Sequence, residues 1–203
     1  MKKILIFLII AIGLSACKTT KIMTVKELEI TNSANMETPF RVLLTTNEQD
    51  SLFLRKKSID IKDAKDIAGN KDWQHFIERL KMTMAVESGV GIAAPQVGVG
   101  RNLFLFMRLD KPGMPVEAAI NPRIVNYSDE LIAFEGDGCL SVPELSGTTT
   151  RYAWIDVEYY NQQGELIKER LHAGARGEDF TGVIFQHEFD HLQGILFTDR
   201  LVE

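Results

Sequence analysis

The stretch 186-QHEFDHLQG-194, close to the end of the chain, constrains the fold more than any other. It overlaps the end of a segment, residues 180–192, whose apolar residues recur with the period of an α-helix. His187 and His191 are four residues apart, and residues with this spacing lie on one face of a helix. The sequence therefore predicts a C-terminal helix that packs against a core and presents two imidazoles to one metal ion.

Other patterns predict a single α+β domain, with mostly antiparallel sheets packed around this central metal-binding helix. Apolar residues at helical spacing predict a second helix over residues 72–86. Residues 152–160 alternate apolar and polar side chains, and a turn at 161–164 joins them to residues 165–171 as a β-hairpin. Thr181 is the predicted N-cap of the C-terminal helix, and Gly194 follows its end. Further strand candidates cover residues 103–107, 118–120, 123–127 and 131–134, with Pro122 separating the middle two.

The composition fits a globular protein and argues against a nucleic-acid partner. Of the 203 residues, 45% are hydrophobic and 25% charged, which is enough apolar material for a real core. The formal net charge is −5, and no basic helix or run of lysine and arginine stands out. We therefore expect no nucleic-acid binding.

The N-terminus has the features of a bacterial lipoprotein signal peptide. Lys2 and Lys3 precede an apolar run over residues 4–14, which is too short to span a membrane as a helix. The run ends in Leu14-Ser15-Ala16-Cys17, which looks like a lipobox with Cys17 as the lipidated residue. A buried N-terminal helix or an uncleaved anchor is the alternative interpretation.

The lipoprotein interpretation divides the chain into three parts. Residues 1–17 are the signal peptide with its lipobox cysteine, residues 18–37 a polar tether, and residues 38–203 the catalytic domain. The protein is then expected on a membrane through Cys17, outside the cytosol, on the periplasmic side or the cell surface. If the signal is not used, the protein is cytoplasmic.

The cysteine count offers a third metal ligand. Cys17 and Cys139 are the only cysteines, so a lipidated Cys17 leaves Cys139 without a disulfide partner in the chain. A bound metal ion would protect this thiol, which is otherwise open to oxidation. His172 upstream, and Asp199 and Glu203 downstream, are the other candidates for the third ligand.

Glu188 lies directly after the first histidine, where a carboxylate can reach a water molecule without binding the metal. A divalent ion lowers the pKa of bound water, and a neighbouring carboxylate can accept the proton. The same pattern also occurs by chance on solvated helices, so the helix alone does not establish an enzyme.

Three blocks together resemble the peptide deformylase family. The blocks are 89-GVGIAAPQ-96, 138-GCLS-141 and 187-HEFDH-191, in that order, and 192-LQGILFTDR-200 is similar to the usual ending of the family. The resemblance extends over roughly residues 40–203. It implies a metal-dependent hydrolase that removes the formyl group from N-formylmethionine at the start of peptides and proteins.

The resemblance also implies a role for individual residues. Cys139, His187 and His191 would bind one divalent ion, Fe²⁺ or Zn²⁺, with Ni²⁺ also suited to this ligand set. Glu188 would act as general base and then general acid.

Three residues of the first two blocks would contact the substrate. The Gln96 side chain and the backbone N–H of Leu140 would donate to the formyl oxygen as it gains charge. Gly91 would contact the peptide through its backbone. The expected partners are thus an N-formylmethionyl peptide and, through Cys17, a membrane.

Two features depart from the family pattern. Asp137 stands where the family usually has glutamate, which shortens a carboxylate beside the ligand loop. The lipoprotein-type signal differs from the cytosolic location that the family implies.

Two other functions stay open at this point. One is a metal-dependent peptidase or amidase that acts on another small acyl or peptide bond. The other is a non-catalytic lipoprotein that binds formyl peptides, although such a protein would not need Glu188.

Overall fold

The computed structural model describes residues 23–202, so the predicted signal peptide and Cys17 lie outside the described residues. Four α-helices and seven β-strands make up this part of the chain. The helices are α1 (Val25–Thr31), α2 (Glu48–Leu54), α3 (Lys71–Val86) and α4 (Thr181–Leu192). The strands are β1 (Gly91–Ala93), β2 (Leu103–Met107), β3 (Val116–Tyr127), β4 (Leu131–Cys139), β5 (Val142–Tyr152), β6 (Trp154–Tyr160) and β7 (Leu166–His172).

The strands form two antiparallel sheets, which confirms the predicted fold class. One sheet has five strands in the order β1-β2-β3-β6-β7, and β4 and β5 form a second, two-stranded sheet. The predicted hairpin is present as β6 and β7, and Gly164 in its turn has a φ of 80°, which favours glycine.

Strand β3 is longer than the sequence predicts. The two segments expected on either side of Pro122 form one strand, with a shift of register between Ile120 and Arg123. Asn121 at the shift has a φ of 50°, and its side chain is held by the backbone of Ile61. The proline therefore marks a bulge inside a strand, because the irregular register leaves it free of the ladder.

Helix α4 lies centrally against β1 and β2. The Phe185 ring packs edge-on against Phe104 and Phe106, at centroid distances of 4.8 and 5.3 Å. The predicted N-cap is wrong: Phe180 occupies that position, and the Thr181 hydroxyl instead donates to Asp110. Burial of nearly the whole helix keeps its histidines in a fixed position.

The beginning of the described chain differs from the expected tether. Residues 18–22 lie outside the description, but Met23 is buried and α1 packs on α3. A capping box of Thr24 and Glu27 starts the helix, and Glu27 accepts hydrogen bonds from Arg101 at 2.5 and 2.9 Å. From Met23 onward the segment is thus folded onto the domain.

Across residues 23–202, the structure contains no helix with the length and apolar character needed to cross a membrane.

Candidate active site

Two elements bring three candidate metal ligands together. His187 and His191 project from one face of α4, and Cys139 is the last residue of β4. One ligand atom from each lies within 4.8 Å of the other two, and Cys139 Sγ is 3.2 Å from His191 Nε2. The structure therefore places the three predicted ligands in one cluster, whereas their role as ligands stays a prediction.

The donor set fits a divalent transition ion. One thiol and two imidazoles suit Zn²⁺ and Fe²⁺, and three protein ligands leave a coordination position for substrate or water. Burial raises the pKa of the Cys139 thiol, but the adjacent His191 and His187 outweigh burial and bring this pKa well below its ordinary value. The thiolate, which is the form that binds metal, is therefore favoured.

A buried carboxylate orients the first histidine. Asp137 Oδ1 is 3.0 Å from His187 Nδ1, which leaves Nε2 of the ring for a metal. Thr149 and Arg151 donate to Asp137 Oδ2 at 2.7 and 2.9 Å. Burial raises the pKa of Asp137, but His187 and Arg151 lower it more strongly, so Asp137 is ionised. Asp137, which replaces the family glutamate, thus has hydrogen-bond partners for both carboxylate oxygens.

Arg151 links this carboxylate to α4. The same guanidinium donates to Asp190 at 2.7 Å, and Arg200 donates to the other Asp190 oxygen at 2.8 Å. Sequence reasoning missed Arg151 and Asp190 as parts of the site. Asp190 lies within 187-HEFDH-191, and that block could have indicated it. No local pattern indicates Arg151.

The Glu188 carboxylate is buried next to the ligand cluster. Burial raises its pKa to about 7, and its Oε2 has no hydrogen-bond partner within the described chain. A Cβ atom built on Gly91 would overlap this carboxylate, with Glu188 Cδ and Cγ only 2.8 Å away. Gly91 therefore leaves the space that Glu188 occupies, in addition to its predicted contact with substrate.

Gln96 has a defined amide orientation. It lies in a 3₁₀ turn over Ala94–Val97, and its Oε1 accepts from the backbone N–H of Ala93 at 2.8 Å. Its Nε2 consequently points to Cys139 Sγ at 3.5 Å and donates to Ser141 Oγ at 3.2 Å. The predicted donor therefore lies next to Cys139, one of the three candidate ligands.

The site opens into a cleft of about 500 Å³. Gly91, Gln96, Cys139, His187 and Glu188 all line it, and Leu140 does so as well. Apolar side chains line much of the cleft, and we call four of them the apolar wall: Phe134, Phe180, Val183 and Ile184.

The alternative third ligands lie elsewhere or outside the description. The Asp199 carboxylate is paired with Arg55 and the backbone N–H of Leu196. His172 is an exposed residue at the end of β7 and does not line the cleft. Glu203 lies outside the described residues.

Comparisons with known proteins point to one family. The profile of the polypeptide deformylase family matches residues 42–203. Peptide deformylase 2 of a Nostoc species is 44% identical over 135 residues, covering 63% of this chain and 71% of the relative. Peptide deformylase of Thermotoga maritima is 42% identical over 125 residues, covering 62% and 70%.

Solved structures show the same fold. The crystal structure of the Thermotoga maritima deformylase aligns with a TM-score of 0.68 at 32% identity, covering 81% of this chain and 99% of that one. A class I type b deformylase from Acinetobacter baumannii with Met-Ala-Ser bound aligns with a TM-score of 0.67 at 28% identity, with the same coverage. The chain therefore belongs to the polypeptide deformylase family.

Proposed function

We propose that this cleft hydrolyses the formyl amide of N-formylmethionyl peptides with a divalent ion held by Cys139, His187 and His191. Family membership and fold make the chain a peptide deformylase. The observation that carries the assignment to these residues is the cluster itself: three donors within 4.8 Å of one another, with the buried Glu188 beside them.

The ion would supply the electrophilic part of the chemistry. When bound, a divalent ion lowers the pKa of a water molecule and polarises a carbonyl oxygen. Fe²⁺ and Zn²⁺ are the proposed ions, and Ni²⁺ suits the same donors. Asp137 would keep the His187 ring in the tautomer and orientation that a ligand needs.

Glu188 moves the protons of the reaction. It accepts a proton from water as the water oxygen adds to the formyl carbon, and it delivers that proton to the amine nitrogen as the C–N bond breaks. Formate and a peptide with a free N-terminal amine are the products. A carboxyl group whose pKa is about 7 can serve in both directions at neutral pH.

Gln96 and Leu140 would stabilise the charge that develops on the formyl oxygen. Gln96 Nε2 is preset by the bond between its Oε1 and Ala93, so the donor needs little reorganisation. Removal of one such donor costs about 3–4 kcal/mol of transition-state stabilisation in well-studied hydrolases.

The apolar wall of the cleft suits a methionine side chain. Phe134 and Val183 are buried in one apolar cluster, with Phe180 packed against it. The deformylase from Acinetobacter baumannii was crystallised with Met-Ala-Ser, a peptide that begins with methionine. We infer that the same side chain enters between these residues here.

Substrate choice is tested with three peptides that differ only at the N-terminus: formyl-Met-Ala-Ser, acetyl-Met-Ala-Ser and Met-Ala-Ser. Formate release and free amine are followed with the metal-loaded protein. We expect turnover of the formyl peptide alone. Cleavage of the acetyl peptide at a similar rate would favour a general amidase, and cleavage of the Met–Ala bond would favour a peptidase.

We further propose that Cys17 is lipidated and holds the enzyme on a membrane outside the cytosol. The sequence over residues 1–17 supports this, and the second cysteine, Cys139, is already engaged in the site. Metabolic labelling with a fatty acid, followed by fractionation, should show a labelled membrane protein that Cys17→Ser converts to an unlabelled form. An unlabelled wild-type protein in the cytosol would contradict the proposal and leave the chemistry intact.

A further inference from the structure

Arg176 lies at the edge of the cleft on a loop between β7 and α4. Two hydrogen bonds close this loop: Gly174 N–H donates to Asp179 O at 2.7 Å, and Glu178 N–H donates to Ala175 O at 3.0 Å. The closed loop carries the Arg176 side chain across to β4. Arg176 is exposed and lines the same cleft as the metal-binding cluster.

The guanidinium of Arg176 is positioned against the apolar wall. It donates to the backbone oxygen atoms of Glu135 and Gly136 on β4. Its central carbon is 5.3 Å from the Phe134 ring centre and 5.9 Å from that of Phe180. The cation therefore stands next to the residues that we assign to the methionine side chain.

No carboxylate of the described residues neutralises the charge of Arg176. Within residues 23–202, no carboxylate lies within ion-pair distance of its guanidinium. The acidic residues of its own loop are used locally, because Glu178 accepts from the Ala175 N–H and Asp179 accepts from the Thr181 N–H. Backbone carbonyl groups orient the guanidinium but leave its full positive charge.

The other charged groups of the cleft do not compensate for Arg176. Asp137 is buried and paired with Arg151, and Glu188 is buried beside the metal-binding cluster. Glu144 also lines the cleft but is exposed, without an ion-pair partner among the described residues. Arg176 is the one lysine or arginine among the residues that line the described cleft.

An extended peptide brings a defined side chain to this cation. Side chains alternate along an extended chain, so the third residue of a substrate projects to the same side as its methionine. Two residues of extended chain span about 7 Å, which is within the reach of an arginine side chain.

We propose that Arg176 is a specificity residue that favours substrates with a carboxylate at the third position, an inference that rests on the proposed deformylase activity. An aspartate or glutamate side chain in longer chains would provide this carboxylate. In a tripeptide, the α-carboxylate is a second source with the same chemistry.

The test compares kcat/KM for formyl-Met-Ala-Glu, formyl-Met-Ala-Gln and formyl-Met-Ala-Lys, all with C-terminal amides to remove the α-carboxylate. An exposed ion pair gives about a threefold preference for glutamate over glutamine, and high salt should weaken it. Arg176→Gln should abolish the preference, and Arg176→Glu should reverse it in favour of lysine. Arg170→Gln, an exposed arginine outside the cleft, should retain the wild-type order.

The free-acid form of formyl-Met-Ala-Gln separates the two sources of the carboxylate. If the α-carboxylate also binds Arg176, this peptide should exceed its amide by about threefold in the wild type and by nothing in Arg176→Gln. Equal kcat/KM for all peptides in the wild type, or an unchanged glutamate preference in Arg176→Gln, would overturn the inference. Absence of formate from every peptide would instead refute the proposed function and this inference with it.

Discussion

The missing side chain of Gly91 lets the Glu188 carboxylate lie beside the metal-binding cluster. This dependence couples a glycine-rich loop to a helix that is almost a hundred residues later in the sequence. The sequence predicts Gly91 as a backbone contact to substrate, but the clash with Glu188 becomes visible only when both elements are in place.

Gly91→Ala should therefore displace Glu188 without removing any metal ligand. We expect kcat/KM for a formyl peptide to fall by about a hundredfold, because a misplaced proton carrier loses most of its contribution. Metal content should not change. Gly69→Ala is the matched control, since nothing lies within 4 Å of its added Cβ, and it should leave kcat/KM unaltered. Full activity in Gly91→Ala would contradict the proposed position of Glu188.

We expect Asp137 to act on the proposed metal site through His187, whose Nδ1 it contacts. Asp137→Asn removes the charge that His187 and Arg151 share, and loss of such an outer partner weakens metal binding by about 10- to 100-fold. Competition with a chelator measures this affinity directly. Asp156→Asn, which removes a partly exposed carboxylate that is also paired with an arginine, should bind metal as the wild type does. Equal affinities for the two variants would show that Asp137 does not support the ligand.

At the scale of elements, Arg108 joins the five-stranded sheet to the start of α4. Its buried guanidinium bonds Asp110, Glu117 and Glu169, and Asp110 in turn contacts Thr181. Each of these carboxylates is about a quarter exposed, so water screens part of the interaction.

Arg108→Met should leave three carboxylates without their shared cation. We expect a loss of about 3 kcal/mol in the free energy of unfolding. This is near the lower end of the range for removing one partner of a buried ion pair. Denaturant unfolding measures the change. Arg170→Met removes a more exposed ion pair and should cost clearly less than Arg108→Met. If both variants lose the same amount, Arg108 does not join these elements.

Helix α1 should respond to acid through Glu27. Burial raises the pKa of Glu27, but Arg101 and Thr24 lower it more strongly, so its folded pKa lies below the ordinary value of 4.5. The stabilisation is thus complete above pH 4.5 and is lost as the pH falls through the folded pKa. Glu27→Gln should be less stable than the wild type at neutral pH, and the difference should shrink in acid.

Thermal unfolding from about pH 6 down to about pH 3 follows this difference. Glu29→Gln, an exposed position on the same helix, should track the wild-type curve at every pH. A Glu27→Gln curve that runs parallel to the wild type would show that the pair with Arg101 does not hold α1.

At the scale of the whole molecule, the sequence predicts two kinds of feature. These are the elements whose apolar residues recur with a regular period, and the residues that belong to a family block. Helices α3 and α4 and the β6–β7 hairpin follow regular periods. Cys139, His187 and His191 stand in two of the three family blocks, which the fold brings together. Helix α1 has only seven residues, which is too short for a period to show, so the sequence predicts a polar tether there instead.

Long-range partners could not be predicted in the same way. Arg151 and Arg176 lie in no motif, and their roles depend on contacts with β4 and α4 from distant parts of the chain. The N-cap of α4 was misplaced for a similar reason, because Thr181 bonds Asp110 on another element. Such pairings arise from tertiary structure, whereas periodicity and motifs describe only local sequence.

The central claim is that Glu188 and the Cys139–His187–His191 cluster together deformylate a peptide. Its most direct test is formate release from formyl-Met-Ala-Ser by metal-loaded wild type and Glu188→Gln, with metal content measured in both. We predict clear release by the wild type and a fall of at least about a hundredfold in the variant, with equal metal content. Release by the wild type no faster than in buffer, or an active Glu188→Gln variant, would contradict the claim.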